Sequence, residues 1–140
     1  MTRARPRAAL ALLLAIAAGL LSRRWPLPGP LAEYTGDALW ATAARLLGAC
    51  LWPRARGATL TAFAFALAAA VECSQLLHTN WLDELRATTP GHLLLGQGFH
   101  WPDFVAYAAG ALLGWPVDRA LTSPGTRSGP AAGASPPAPA

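Results

Sequence analysis

The sequence predicts an all-α fold: an integral membrane bundle of four transmembrane helices, with a short half-helix or interfacial turn in the third connection. Three observations carry this expectation. Hydrophobic residues make up 54% of the 140-residue chain and charged residues only 13%, about half the charged share usual in a soluble domain. The apolar residues gather into four segments, separated by turns rich in Pro, Gly and Arg. Tryptophans 25, 40, 52, 81, 101 and 115 mostly fall at the ends of those segments, as in the aromatic belts of membrane helices. The chain is too short for two domains. Residues 1–121 form the membrane domain, and the Pro/Ala/Gly/Ser-rich stretch 122–140 has no apolar period and is expected to be a disordered tail.

The first span is expected at about 8–24. Ala8 to Leu21 carries no polar side chain, and Arg7 and Arg23 bracket it, where their long stems extend the effective length by snorkelling. The same run suits the core of a signal peptide, with Ala15-Ile16-Ala17 as a small-residue cleavage site. An uncleaved helix is expected because three more hydrophobic segments follow. Trp25 to Pro30 holds three prolines and cannot be helical. The second span, about 34–52, is mostly Ala and Leu, with Asp37 and Arg45 inside it. Arg45 is expected to snorkel toward the inner side. A basic turn, Pro53 to Gly57, leads to the third span, about 58–77, whose polar exceptions are Glu72 and Gln75. His78 to Phe99 is a longer connection in which Thr89-Pro90 reads as the cap and first turn of a short apolar piece. The fourth span is expected at about 101–117.

Arginine placement orients the chain. With the N-terminus inside, Arg3, Arg5, Arg7, Arg54, Arg56, Arg119 and Arg127 lie on the inner side, against Arg23, Arg24 and Arg86 outside. Both termini are therefore expected in the cytoplasm of a bacterial inner membrane.

An ionisable residue at the centre of a span costs about 2.5–3.5 kcal/mol, so each needs a reason. On this topology Asp37 and Trp40 lie in the outer turns of span two. Glu72 falls roughly 8 Å below the outer boundary with Gln75 nearer still, and Asp103 and Tyr107 lie within roughly 10 Å of it. Arg86 sits in the outer connection. Asp37/Trp40 and Glu72/Gln75 are three apart and Asp103/Tyr107 four apart, so each pair shares one helix face. Gly110 and Gly114 continue the Asp103 face at small-xxx-small spacing and let a neighbouring helix approach. Arg86 is the expected cation for the three carboxylates. Such a set can be a purely structural network, a pocket for a ligand or headgroup, or a proton relay.

The ordered series Tyr34-Thr35-Gly36-Asp37-Ala38-Leu39-Trp40-Ala41, Val71-Glu72-Cys73-Ser74-Gln75, Trp81, Asp83, Leu85-Arg86, Gly91, Leu95-Gly96, Phe99, and Trp101-Pro102-Asp103 with Tyr107 and Gly110 resembles DUF2809. That is a family of small bacterial inner-membrane proteins of unknown function. The resemblance covers roughly residues 20–119. More distantly the chain is similar to the VanZ-like membrane proteins, which share an early acidic residue, Glu-x-x-Gln on a helix, an arginine loop, and Asp before a glycine-bearing helix. That resemblance implies an envelope role such as altered glycopeptide sensitivity, and it marks Asp37, Glu72, Gln75, Arg86 and Asp103 as candidate functional residues. A "ribosomal maturation" label carried by some DUF2809 members has no support here. The arginines flank spans rather than forming a patch with stacking aromatics, so nucleic acid is not an expected partner.

The expected function is an envelope-associated binding or accessory module for a lipid, a lipid-linked glycan or a partner membrane protein. The alternatives are a membrane-embedded lipid-modifying enzyme using Glu72 or Asp103 as acid or base, and a small proton-coupled transporter. No catalytic motif, nucleotide-binding loop or cofactor is expected. His78, His92 and His100 lie on the outer side, but no HxxxH or HExxH spacing supports a metal.

Overall fold

The structure, a computed structural model, describes residues 4–29, 31–96 and 98–121. The expected tail at 122–140, and Arg3 and Arg127 of the orientation argument, lie outside the described residues. The described residues form six helices and no strand: α1 (Arg5–Arg24), α2 (Leu31–Leu51), α3 (Gly57–Ser74), α4 (Asn80–Ala87), α5 (Thr89–Leu95) and α6 (Asp103–Leu121). Two of them, α1 and α3, are long and apolar enough to cross a membrane. The other long helices, α2 and α6, carry the buried Arg45 and Asp118, while the buried Glu72 lies on α3.

Proline and arginine set most of the boundaries. In α1, Pro6 sits in the first turn, where its missing N–H leaves nothing unpaired. Arg23 and Arg24 occupy the last turn and complement the negative end of the helix dipole. α2 ends one residue before Trp52-Pro53, and the Trp52 N–H closes on Gly48 O at 2.8 Å. α3 stops at Ser74 rather than Leu77. Its continuation tightens into i→i−3 bonds from Gln75, Leu76 and Leu77 to Glu72, Cys73 and Ser74, which leaves late carbonyls for a side chain to cap. α6 starts at Asp103 and runs through Pro116 to Leu121. The prolyl nitrogen there has no proton to donate back along the helix.

The third connection holds more helix than expected. Besides α5 there is α4, with Asp83 in its first turn and Arg86 in its last, an arrangement that favours the helix dipole. The cap of α5 is Thr88, one residue earlier than expected. Its hydroxyl oxygen accepts from Gly91 N–H at 3.1 Å and its proton goes to Leu85 O at 2.7 Å.

α2 is the centre of the bundle, packed against α1 on one side and α6 on the other, with α3 closing on both α2 and α6. Alanine dominates the core: Ala41, Ala44, Ala49, Ala64, Ala68, Ala106 and Ala111 are all buried. The buried stripe of α3 is Leu60, Ala64, Ala68 and Glu72, one residue per turn. Large apolar side chains point outward instead, among them Leu13, Leu14, Val105, Leu112 and Leu113. Small residues between helices and large ones outside is the packing that lets backbones approach where association rests on van der Waals contact. The extreme case is Gly110: a Cβ there would run into the backbone of Ala38, and Thr42 Oγ1 sits 2.8 Å from Gly110 O and 2.9 Å from Ala38 O.

The expectation that Arg45 snorkels is overturned. Arg45 is 0% exposed and pairs with the buried Asp118 at 3.0 Å. It also donates to Gly57 O at 3.0 Å and to the Thr61 hydroxyl. Gly114 makes room for it, since a Cβ there would lie 2.5 Å from Arg45 Cδ. Gly114 therefore accommodates an arginine stem rather than a neighbouring backbone. The ion pair joins α2, α3 and α6 at the end of the bundle opposite the Glu72 cluster.

Candidate functional site

Glu72 lies on the buried stripe of α3 and is 0% exposed. A buried carboxylate is costly unless hydrogen bonds replace its water. Here Oε2 accepts from the Tyr107 hydroxyl at 3.0 Å and from Gln75 Nε2 at 3.1 Å, while Oε1 accepts from the His100 backbone N–H at 2.5 Å. The i+3 spacing brings Gln75 to Glu72 along one helix, and Tyr107 reaches it from α6. The His100 bond ties down the segment that precedes α6. Three donors on one carboxylate make Glu72 the fixed point around which α3, α6 and the loop are arranged.

In front of this cluster is a cavity of about 190 Å³ lined by Asp37, Trp40, Gln75, Asp103 and Tyr107, together with Arg23 and His92. Trp40 and Tyr107 form part of its wall, with ring centroids 6.4 Å apart. Gly96 also lines it, at φ 65°, a conformation that favours glycine. A Cβ there would lie 2.6 Å from Gln75 Nε2, so the missing side chain leaves room for the amide that bonds Glu72. Gln75 is 7% exposed, and its Oε1 has no hydrogen-bond partner among the described residues. That orientation follows from chemistry: the amide N–H₂ must face the carboxylate, so the acceptor oxygen is the end left over.

Of the residues singled out by sequence, Asp37, Trp40, Gln75, Asp103 and Tyr107 share one cavity, and Glu72 stands behind it through Gln75 and Tyr107. Arg86 does not join them. It is 5% exposed and caps the end of α3, donating to Leu77 O at 2.9 Å and to Ser74 O at 2.6 Å. Its acidic neighbour is Asp83, at 3.3 Å. Arg86 therefore pins α4 beneath α3 and is not the cation of the cavity. That place belongs to Arg23, which sequence reasoning assigned only to the end of a span. Gly36 on α2 lies beside it, where a Cβ would make ordinary van der Waals contact with Arg23 Nε at 3.7 Å. No periodicity distinguishes Arg23 from Arg24.

A second, almost wholly apolar groove of about 510 Å³ adjoins the cavity. It runs between α1, α2 and α5, and its lining includes Leu12, Ile16, Gly19, Ala43 and Leu47. Arg23, Trp40, Leu93 and Leu94 line both spaces. Among the described residues no three His, Cys, Asp or Glu side chains converge in a way that would hold a metal ion.

Fold and site together define an all-α protein built by small-residue helix packing, with a carboxylate-lined cavity opening beside an apolar groove. The family described as Protein of unknown function (DUF2809) matches residues 27–111, and the chain belongs to it. The matched stretch contains Asp37, Glu72, Gln75, Arg86, Asp103, Tyr107 and Gly110, whereas Arg23, Gly114 and Asp118 lie beyond it. No solved structure matches this chain.

Proposed function

We infer that the chain is a multi-pass protein of the bacterial inner membrane, with α1, α2, α3 and α6 as spans and both termini in the cytoplasm. On this reading it is a binding or accessory module of the envelope whose cavity, near the outer leaflet, receives the polar part of a membrane amphiphile. The observation that carries the reading is the polar cavity joined to an apolar groove through four shared residues. A polar recess continuous with a hydrocarbon-compatible channel suits a molecule with a head and a tail. Together the two volumes fall in the range of about 300–1,000 Å³ typical of ligand sites. The outward-facing leucines of α1 and α6 support immersion in lipid, where such a surface needs no further burial. Lipids and lipid-linked envelope precursors are the favoured partners, and a partner membrane protein is the other class this surface suits.

Catalysis by Glu72 has less support than binding. Its two oxygens are already committed to three donors, and it stands behind Gln75 and Tyr107 rather than on the cavity wall. Native mass spectrometry of the protein released from mild detergent tests the proposal. The wild-type chain should retain amphiphile, and Val71→Trp, at a position that also lines the cavity, should fill it and lose the amphiphile. A wild-type protein that retains no lipid from a mixed bacterial extract would overturn the reading. C-terminal reporter fusions should be active on the cytoplasmic side, and an external result would reverse the orientation.

A further inference from the structure

We propose that the amphiphile is a phospholipid with a primary-ammonium headgroup, of the phosphoethanolamine type, with its ammonium in the cavity, its phosphate at Arg23 and one acyl tail in the groove. This rests on the reading of the chain as an amphiphile-binding module and names the chemistry that module selects.

The cavity wall is rich in acceptors and in negative charge. Asp37 and Asp103 contribute carboxylates, which accept hydrogen bonds and donate none when ionised. Gln75 Oε1 is buried without a partner among the described residues, and an unsatisfied buried acceptor is costly until a donor reaches it. An ammonium brings three donors and a positive charge. Trp40 and Tyr107 add π faces of the kind that attract cations at close range. An anionic or purely hydroxylic head matches this wall less well, because the carboxylates repel the first and gain no ion pair from the second.

Arg23 stands where cavity and groove meet, and its side chain makes no ion pair among the described residues. Its fork of donors is matched to a phosphate. A phosphodiester is the group that lies between head and tail in a phospholipid, so the order ammonium, phosphate, hydrocarbon is the order Asp37/Asp103, Arg23, groove. The groove has a defined length. From Arg23 to Leu12 on α1, and from Gly36 to Leu47 on α2, it runs eleven residues, roughly 16 Å of helix. That is about half of the ~30 Å hydrocarbon core, the depth of a single leaflet. The groove therefore suits a lipid standing in its own leaflet rather than a molecule passing through the membrane.

Binding of a tail-labelled phosphatidylethanolamine to the purified full-length protein in mild detergent tests this, with unlabelled lipids as competitors. Phosphatidylethanolamine should compete at least about tenfold better than phosphatidylglycerol, the size of one charge-assisted contact. Free phosphoethanolamine should not compete at the same concentrations, because it lacks the tail. The Asp37→Asn/Asp103→Asn double variant should lose the preference while still binding both lipids. Ala43→Phe, which narrows the groove away from the cavity, should weaken both lipids alike. Binding with no preference between the two lipids would overturn the headgroup assignment while leaving the amphiphile reading intact. So would a preference that survives the double Asp variant in protein with wild-type helicity. An Ala43→Phe variant that binds as wild type would overturn the assignment of the groove to the tail. No binding of either lipid would instead remove the reading beneath it.

Discussion

Asp118→Ala should be among the most damaging single substitutions in this protein, although Asp118 lies far from the cavity. Asp118 is 3% exposed and Arg45 0%, and their 3.0 Å contact places a carboxylate against the Arg45 charge in the core. An exposed pair of this kind contributes about 0–1 kcal/mol. Removing one partner of a buried pair costs about 3–5 kcal/mol, because a charge is left without compensation. The bonds from Arg45 to Gly57 O and Thr61 keep the guanidinium in place when the carboxylate is gone, so it cannot escape to water cheaply. Replacing both charges by apolar groups of similar length, Arg45→Met/Asp118→Leu, should recover most of the loss, since no charge is then buried. Equilibrium unfolding in mixed micelles, followed by circular dichroism and tryptophan fluorescence, gives the free energies for a double-mutant cycle. Single variants within about 1 kcal/mol of wild type, or a double variant as unstable as the worse single, would refute the reasoning and restore a solvated Arg45.

Gly110→Ala should destabilise the protein by about 1–3 kcal/mol through overpacking, because the new methyl meets the Ala38 backbone. Gly19→Ala, whose methyl would lie 3.7 Å from Leu39 Cβ, should be neutral or slightly stabilising in the same unfolding assay. Tyr107→Phe should cost about 1.5–3 kcal/mol, the worth of a hydrogen bond to a charged acceptor. It should also increase hydrogen exchange at the His100 amide, which shares Glu72. Arg86→Ala should leave the bundle intact but make α4 a site of limited proteolysis. Arg86→Lys should rescue it only in part, since an ammonium cannot reproduce a fork that reaches Leu77, Ser74 and Asp83 together.

Much of this architecture is written along the chain. The four long helices fall close to the expected segments because hydrophobic runs, prolines and flanking arginines act locally. The common depth of Asp37, Glu72, Gln75, Asp103 and Tyr107 was also legible, for a simple reason: a helix advances about 1.5 Å per residue, so sequence position measures depth. The short helix α4 was missed because it has eight residues and mixed polarity. Its one strong cue, an acid near the start and an arginine near the end, is easily read as a polar loop.

Position along a helix is a single coordinate, and the misplaced pairings of charge lie in the others. Arg23 and Arg86 were expected at the same end of the bundle, yet one lines the cavity and the other caps α3. Glu72 and Gln75 share a face, yet Glu72 faces its donors while Gln75 reaches the cavity wall. Arg45 and Asp118 are separated by 73 residues, and nothing in the spacing of either announces the other. The sequence by itself determined the four long helices, which residues are apolar and how far along each helix the charges sit. Only the tertiary structure decided which charges meet, because rotation about each helix axis and the choice of neighbour depend on packing between segments distant in the chain.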